Sequence, residues 1–76
     1  MKIFIVEDNE IIRKNLQETL QELAGANFVG HASNEADAVR WLNDAHNDWD
    51  LAIVDLFLLE GNGMGVLQAC QQRTNG

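Results

Sequence analysis

The sequence predicts an open parallel α/β sheet, because three apolar segments typical of strands alternate with three amphipathic segments typical of helices. Strands in such an alternation lie parallel and are joined by right-handed crossovers that each contain a helix. The strand segments are short and rich in β-branched residues, and the helix segments repeat apolar residues at spacings of three and four. A chain of 76 residues has room for one domain of this kind.

The first βα unit has the clearest pattern. Residues 2–6, Lys-Ile-Phe-Ile-Val, predict a buried strand, and residues 10–24 predict a helix. Asn9 suits the N-cap of that helix, and Gly25 suits its C-cap. The apolar stripe of the helix consists of Ile11, Ile12, Leu16, Leu20 and Leu23.

Two further βα units follow. Residues 28–32 predict a weaker strand with a glycine inside it, and Asn34 opens a helix that ends within residues 43–47. Residues 51–54, Leu-Ala-Ile-Val, form the most continuous buried-strand pattern in the chain, which in a parallel sheet is typical of a central strand. Apolar residues within 64–70 predict a short last helix.

Charge and cysteine content exclude several function classes. Five Lys and Arg residues stand against twelve Asp and Glu residues, a formal net charge of −7. The chain therefore lacks the basic surface of a nucleic-acid-binding protein, and anionic membranes would repel it. Its single cysteine, Cys70, and the absence of a signal-peptide pattern predict a reducing, cytoplasmic setting. Five acidic residues are predicted to form a solvated face: Glu18, Glu22, Glu35, Asp44 and Asp48.

Acidic residues also follow two of the predicted strands, and these are the candidate functional residues. Glu7 and Asp8 come after the first strand and Asp55 after the third. Ligands of open parallel sheets bind beyond the carboxyl ends of the strands. If the two strands are neighbours, the three carboxylates converge, and their repulsion is relieved by a proton or by a cation such as Mg²⁺.

The same carboxylates suggest distinct roles. A carboxylate is able to act as a nucleophile and form an aspartyl-phosphate. Asp55 suits this role because it directly follows an apolar strand, which holds it rigidly. Glu7 and Asp8, on a turn, suit metal binding. A second interpretation stays open for Glu7 and Asp8, because acidic residues after a strand commonly cap the next helix.

These residues resemble a known family. Val-Glu-Asp-Asn at residues 6–9, Leu-Ala-Ile-Val-Asp-Leu at residues 51–56, Leu58, and Gly63 eight residues after Asp55 are similar to the receiver domain of bacterial two-component response regulators. The resemblance implies a flavodoxin-like (CheY-like), doubly wound parallel sheet with strand order 2-1-3. It covers the whole chain in order and spacing.

The resemblance also implies a function. A receiver domain accepts a phosphoryl group from a sensor histidine kinase, or from a phosphotransfer protein, and is not itself classed as an enzyme. Carried onto this sequence, the phosphoacceptor is Asp55, and Mg²⁺ is bound by Glu7, Asp8, Asp55 and the main-chain carbonyl of Phe57.

The sequence departs from the family pattern in two ways. Leu59 stands where most members have proline. Residues 1–76 match only the first three βα units of a receiver, so we expect an incomplete receiver domain without the fourth and fifth units. The hydroxyl residue that ends the fourth strand and the lysine that ends the fifth then have no counterpart. We therefore expect impaired phosphorylation of this chain and a homodimer formed through the exposed edge of the third strand.

Other functions remain as alternatives. A receiver-like module that binds proteins without phosphorylation would keep the same fold. A phosphatase of the haloacid dehalogenase type needs a second aspartate two residues after the nucleophile, where this chain has Phe57. A dinucleotide-binding fold needs a glycine-rich turn after the first strand, where residues 7–10 are Glu-Asp-Asn-Glu.

Overall fold

Three parallel strands and three helices alternate along the chain in the computed structural model, which describes residues 1–55 and 61–71. The sheet has the order β2-β1-β3. This confirms the predicted α/β class and the strand order 2-1-3. The elements are β1 (Lys2–Val6), α1 (Glu10–Ala24), β2 (Asn27–Ala32), α2 (Glu35–Asn43), β3 (Leu51–Val54) and α3 (Gly63–Gln71).

Strand β1 lies at the centre of this sheet and is its most buried element. It pairs in parallel with β2 on one side and with β3 on the other, and its residues 3–6 are buried. Strand β3, the most continuous apolar segment of the sequence, lies at an edge within the described residues, and Leu51 keeps 43% of its surface exposed. Position in the sheet therefore decides burial here more than apolar composition does.

One face of the sheet carries the main core. Helices α2 and α3 cover this face, where the buried residues of the cluster are Phe4, Val6, Ala32, Ala38 and Val66. The Trp41 ring stacks on Phe4, and partly buried Leu42, Trp49 and Val54 complete the packing. Close packing of large rings against small residues lets α2 approach the sheet.

Helix α1 has the predicted caps but an unexpected amount of exposed apolar surface. The Asn9 side chain accepts hydrogen bonds from the Ile11 and Ile12 backbone N–H groups, at 3.0 and 3.1 Å. Gly25 closes the helix with φ of 61°, a left-handed conformation that favours glycine. No residue of α1 is buried, and Leu23 is 81% exposed. Across the residues the structure describes, no helix is long and apolar enough to span a membrane.

Candidate functional site

The candidate site lies at the carboxyl ends of β1 and β3. Parallel pairing places Val6 beside Val54, so the residues that follow them emerge at the same edge of the sheet. The Glu7 N–H donates to the Ala32 carbonyl at 3.0 Å, and the Asp55 N–H donates to the Val6 carbonyl at 3.0 Å. Both backbones are therefore held by the ladder up to the acidic residues themselves.

Three carboxylates converge at this edge. Glu7, Asp8 and Asp55 each offer one oxygen, and these oxygens all lie within 4.8 Å of one another. Each of the three side chains is half-buried. The sequence predicted that these carboxylates converge if the first and third strands are neighbours. In the structure β1 and β3 are neighbours, and the carboxylates do converge.

The donor set fits a small hard cation. Mg²⁺ prefers oxygen ligands at about 2.1 Å, so two of its ligands lie at most about 4.2 Å apart. The cluster meets this requirement after a contraction of about half an ångström. Three carboxylates would leave further coordination positions for water, in keeping with the usual partly hydrated state of protein-bound Mg²⁺.

The electrostatics of the cluster favour a cation or a proton. The pKa of the Glu7 carboxyl is raised above its ordinary value, chiefly by burial. The Asn9 N–H, which donates to Glu7 Oε1 at 3.1 Å, opposes this shift. A hydrogen bond with Asp8 and the negative charges of Asp55 and Asp8 raise the pKa further. The charged form of Glu7 is therefore less favourable in this cluster than in water, and a positive charge entering the cluster would offset that cost.

The residues after Asp55 are only partly described. Phe57, expected to supply a main-chain carbonyl, lies outside the described residues, and so do Leu58 and Leu59. The description resumes at Gly61, and Gly63, the glycine of the family pattern, is buried at the start of α3. The predicted role of Phe57 stays a prediction.

Sequence reasoning missed one residue on this side of the molecule. Glu35 was expected on a solvated face, but its Oε1 accepts a hydrogen bond from the Asn62 N–H at 2.9 Å. A side-chain carbon at Gly61 or Gly65 would collide with the Glu35 side chain. The available sequence signal was the pair of glycines four residues apart, which leave room for a neighbouring side chain.

Comparison with known proteins decides the family. The family model of the response regulator receiver domain matches residues 3–76. The chain belongs to this receiver-domain family. The strand order β2-β1-β3 and the three βα units of the receiver domain agree with a CheY-like fold. No solved structure matches the receiver domain significantly.

Among characterised relatives, the receiver domain is similar to transcriptional and other response regulators. It is 29% identical over 72 residues to the response regulator UvrY of Escherichia coli. The aligned region covers 95% of this chain and 31% of that protein. It is 33% identical over 64 residues to the DNA-binding transcriptional activator DevR/DosR of Mycobacterium tuberculosis. Here the aligned region covers 84% of this chain and 29% of that protein. The receiver domain thus spans about a third of the length of these relatives.

Proposed function

We propose that this receiver domain accepts a phosphoryl group on Asp55 with the help of Mg²⁺. The observation that supports the proposal is the convergence of the Glu7, Asp8 and Asp55 carboxylate oxygens within 4.8 Å at the carboxyl edge of the sheet. Three acidic side chains at this distance repel one another unless a cation joins them. Such an arrangement suits a reaction in which further negative charge, that of a phosphoryl group, must be accommodated.

The roles of the residues follow from how each is held. Asp55 is the nucleophile, because its backbone is fixed by the hydrogen bond to Val6 at the end of β3. Glu7 and Asp8 hold the cation together with Asp55 and, as the family resemblance implies, with the carbonyl of Phe57. Bound Mg²⁺ would supply positive charge that neutralises the phosphoryl oxygens.

The proposed phosphodonor is the phosphohistidine of a sensor histidine kinase or of a phosphotransfer protein. An Asp55 carboxylate oxygen forms the new P–O bond, the P–N bond to the donor imidazole breaks, and the imidazole nitrogen keeps the electron pair. The net charge of −7 supports contacts with cations and proteins rather than with nucleic acid. We place the exchange in the cytoplasm, since a lone cysteine is typical of a reducing compartment.

Phosphorylation is tested with a small acyl phosphate and Mg²⁺, followed by intact mass. We expect slow addition of one phosphoryl group to the 76-residue chain, because it contains no counterpart of the family's hydroxyl and lysine partners of the phosphoryl oxygens. Asp55→Asn should abolish the addition, whereas Asp44→Asn, at the exposed C-cap of α2, should not. A mass increase that persists in Asp55→Asn contradicts the assignment of Asp55. Rapid, stoichiometric addition contradicts the importance of those two partners.

Mg²⁺ binding is tested separately, by titration followed by backbone amide shifts. Amides of Glu7, Asp8 and Asp55 should shift together with one weak, saturable affinity. Asp8→Ala should weaken that affinity, and Glu22→Ala, on exposed α1, should leave it unchanged. Equal binding by Asp8→Ala and the native chain would place the cation elsewhere.

An interaction module that works without phosphorylation is the alternative. Such a module has the same fold, so only Mg²⁺ binding and phosphorylation distinguish it from a phosphoacceptor. A native chain that neither binds Mg²⁺ nor gains a phosphoryl group would favour the alternative.

We also propose that the 76-residue chain forms a homodimer through the outer edge of β3. This strand pairs with β1 on one side, and within residues 1–55 and 61–71 no strand pairs with its other edge. Its residues include neither Lys nor Pro, the residues that commonly protect an edge. Two-fold pairing of β3 with its copy would join two sheets into one of six strands.

Sedimentation equilibrium over a range of concentrations tests the dimer. Leu51→Lys, on β3, should shift the chain to monomer by placing charges on both sides of the two-fold axis. Val29→Lys, on the opposite edge strand β2, is the matched control and should leave the association unchanged. A native chain that stays monomeric at high concentration contradicts the proposal.

A further inference from the structure

We propose that Glu35 is a positioning residue for the phosphoacceptor site, because its carboxylate holds the beginning of α3 and thereby the far end of the connection that leaves Asp55. The inference deepens the proposed function and rests on it for its functional consequence. The contact itself is a property of the structure. It joins residues 27 positions apart, Glu35 at the start of α2 and Asn62 before α3.

Asn62 is the organising residue of the α3 N-terminus, and Glu35 holds it from outside the helix. The Asn62 side chain accepts a hydrogen bond from the Met64 N–H at 2.7 Å, and its carbonyl accepts one from the Gly65 N–H at 3.1 Å. The backbone N–H of Asn62, in turn, donates to Glu35 Oε1. A carboxylate at a helix N-terminus also interacts favourably with the helix dipole.

The chain around Asn62 is shaped to admit this carboxylate. Gly61 has φ of 91°, a conformation that L side chains rarely adopt, and an added Cβ there would collide with the Glu35 Cβ. An added Cβ at Gly65 would collide with Glu35 Oε2. The glycines on both sides of Asn62 thus leave space for the Glu35 side chain.

Glu35 is itself held in place by α2. The Asn34 side chain caps the helix by accepting a hydrogen bond from the Asp37 N–H at 2.8 Å. Helices α2 and α3 share the core cluster, in which Ala38 and Val66 are both fully buried. Because this packing does not involve the Glu35 carboxylate, we expect its removal to release the start of α3 without unfolding the chain.

The consequence for the site comes from the path of the chain. The near end of the connection after Asp55 is fixed by the Asp55–Val6 hydrogen bond, and the far end is fixed by the Glu35–Asn62 hydrogen bond. Only residues 56–60 separate Asp55 from Gly61. Because Asp55 and Gly61 lie so close along the chain, we expect that releasing Gly61 and Asn62 makes the position of Asp55 less defined and so weakens cation binding.

The test uses Glu35→Ala, which removes the acceptor, and Glu35→Gln, whose Oε1 still accepts a hydrogen bond. In Glu35→Ala we expect faster amide hydrogen exchange at Asn62, unchanged exchange at Phe4 and Ile5 in β1, and Mg²⁺ affinity about two- to tenfold weaker, the range expected for one lost hydrogen bond. Glu35→Gln should restore both the protection of Asn62 and the affinity. Gly65→Ala, which displaces the carboxylate from the other side, should reproduce the effects of Glu35→Ala.

The outcomes separate the two proposals. Unchanged exchange at Asn62 in Glu35→Ala, or a Glu35→Gln variant as weak as Glu35→Ala, overturns the positioning role. Unchanged Mg²⁺ affinity and phosphorylation in Glu35→Ala, with faster exchange at Asn62, shows a contact without influence on the site and also overturns it. A native chain that binds no Mg²⁺ while Asn62 responds as expected overturns the proposed function, and with it the functional consequence, but leaves the contact established.

Discussion

Trp41 stacks face to face on Phe4, with ring centroids 4.0 Å apart and ring planes within 4° of parallel. The two rings join α2 to the central strand β1. Gly30 on β2 completes the arrangement, because a Cβ at this position would lie 2.7 Å from Trp41 Nε1. The β2 register shifts at this point, since Ile3 pairs with Phe28 and Phe4 pairs with Gly30.

The packing of Trp41 predicts the effect of Gly30→Ala. The added methyl group overlaps the indole, so the free energy of unfolding should fall by about 1–3 kcal/mol, as in other overpacked cores. Urea unfolding followed by Trp fluorescence measures the change, and Thr19→Ala on exposed α1 is the control. Because Ala restricts the unfolded chain more than Gly does, unchanged or increased stability would show that the indole has room to move.

The N-cap of α1 makes a second prediction. Asn9→Ala removes the acceptor of the Ile11 and Ile12 N–H groups and should lower the free energy of unfolding by about 1 kcal/mol. Asn9→Ser, which keeps a capping oxygen, should retain most of the stability. Equal losses in the two variants would indicate that the cap is not the cause.

The acidic cluster predicts that Glu7→Gln, unlike the two substitutions above, stabilises the chain. Removing one of three converging negative charges relieves repulsion, so without Mg²⁺ the free energy of unfolding should rise, by up to about 1 kcal/mol because water screens the half-exposed groups. Gln keeps the acceptor for the Asn9 N–H. Chemical unfolding in a chelator measures the effect, and Glu18→Gln on α1 is the control. Lower stability of Glu7→Gln would contradict the repulsion.

His31 predicts a pH dependence of stability. Burial lowers the pKa of His31, the charge of Arg13 lowers it further, and the charge of Glu10 opposes the shift. As pH falls through about 6.5, the unfolded chain takes up a proton before the folded chain does, so this residue reduces stability at acidic pH.

The measurement compares unfolding free energies at pH 7.5 and 5.5. His31→Gln should lose less stability on acidification than the native chain does. His46→Gln, which alters an exposed side chain, should behave like the native chain. An identical pH response of His31→Gln and the native chain would contradict the role of His31.

Much of the local structure was predictable because it depends on short-range features. The caps at Asn9, Gly25 and Asn34 lie where the sequence places them, since capping needs only the side chain and the backbone a few residues away. The apolar residues of α3 also predicted a helix. Which of them are buried depends on packing, since Val66 is buried and Met64 is exposed. The stripe of α1 was predicted correctly as a pattern, yet no α1 residue is buried, because burial depends on what covers a helix.

By itself, the sequence determined the α/β alternation, the family and the three acidic residues at the ends of two strands. These properties follow from hydrophobic period, turn residues and local spacing. Tertiary structure decided that β1 is the central strand of the described sheet and that the three carboxylates lie within 4.8 Å. It also decided that Glu35 holds Asn62. Contacts between residues 27 or more positions apart depend on how helices and strands pack. Local sequence preferences act over a few residues and do not determine such contacts.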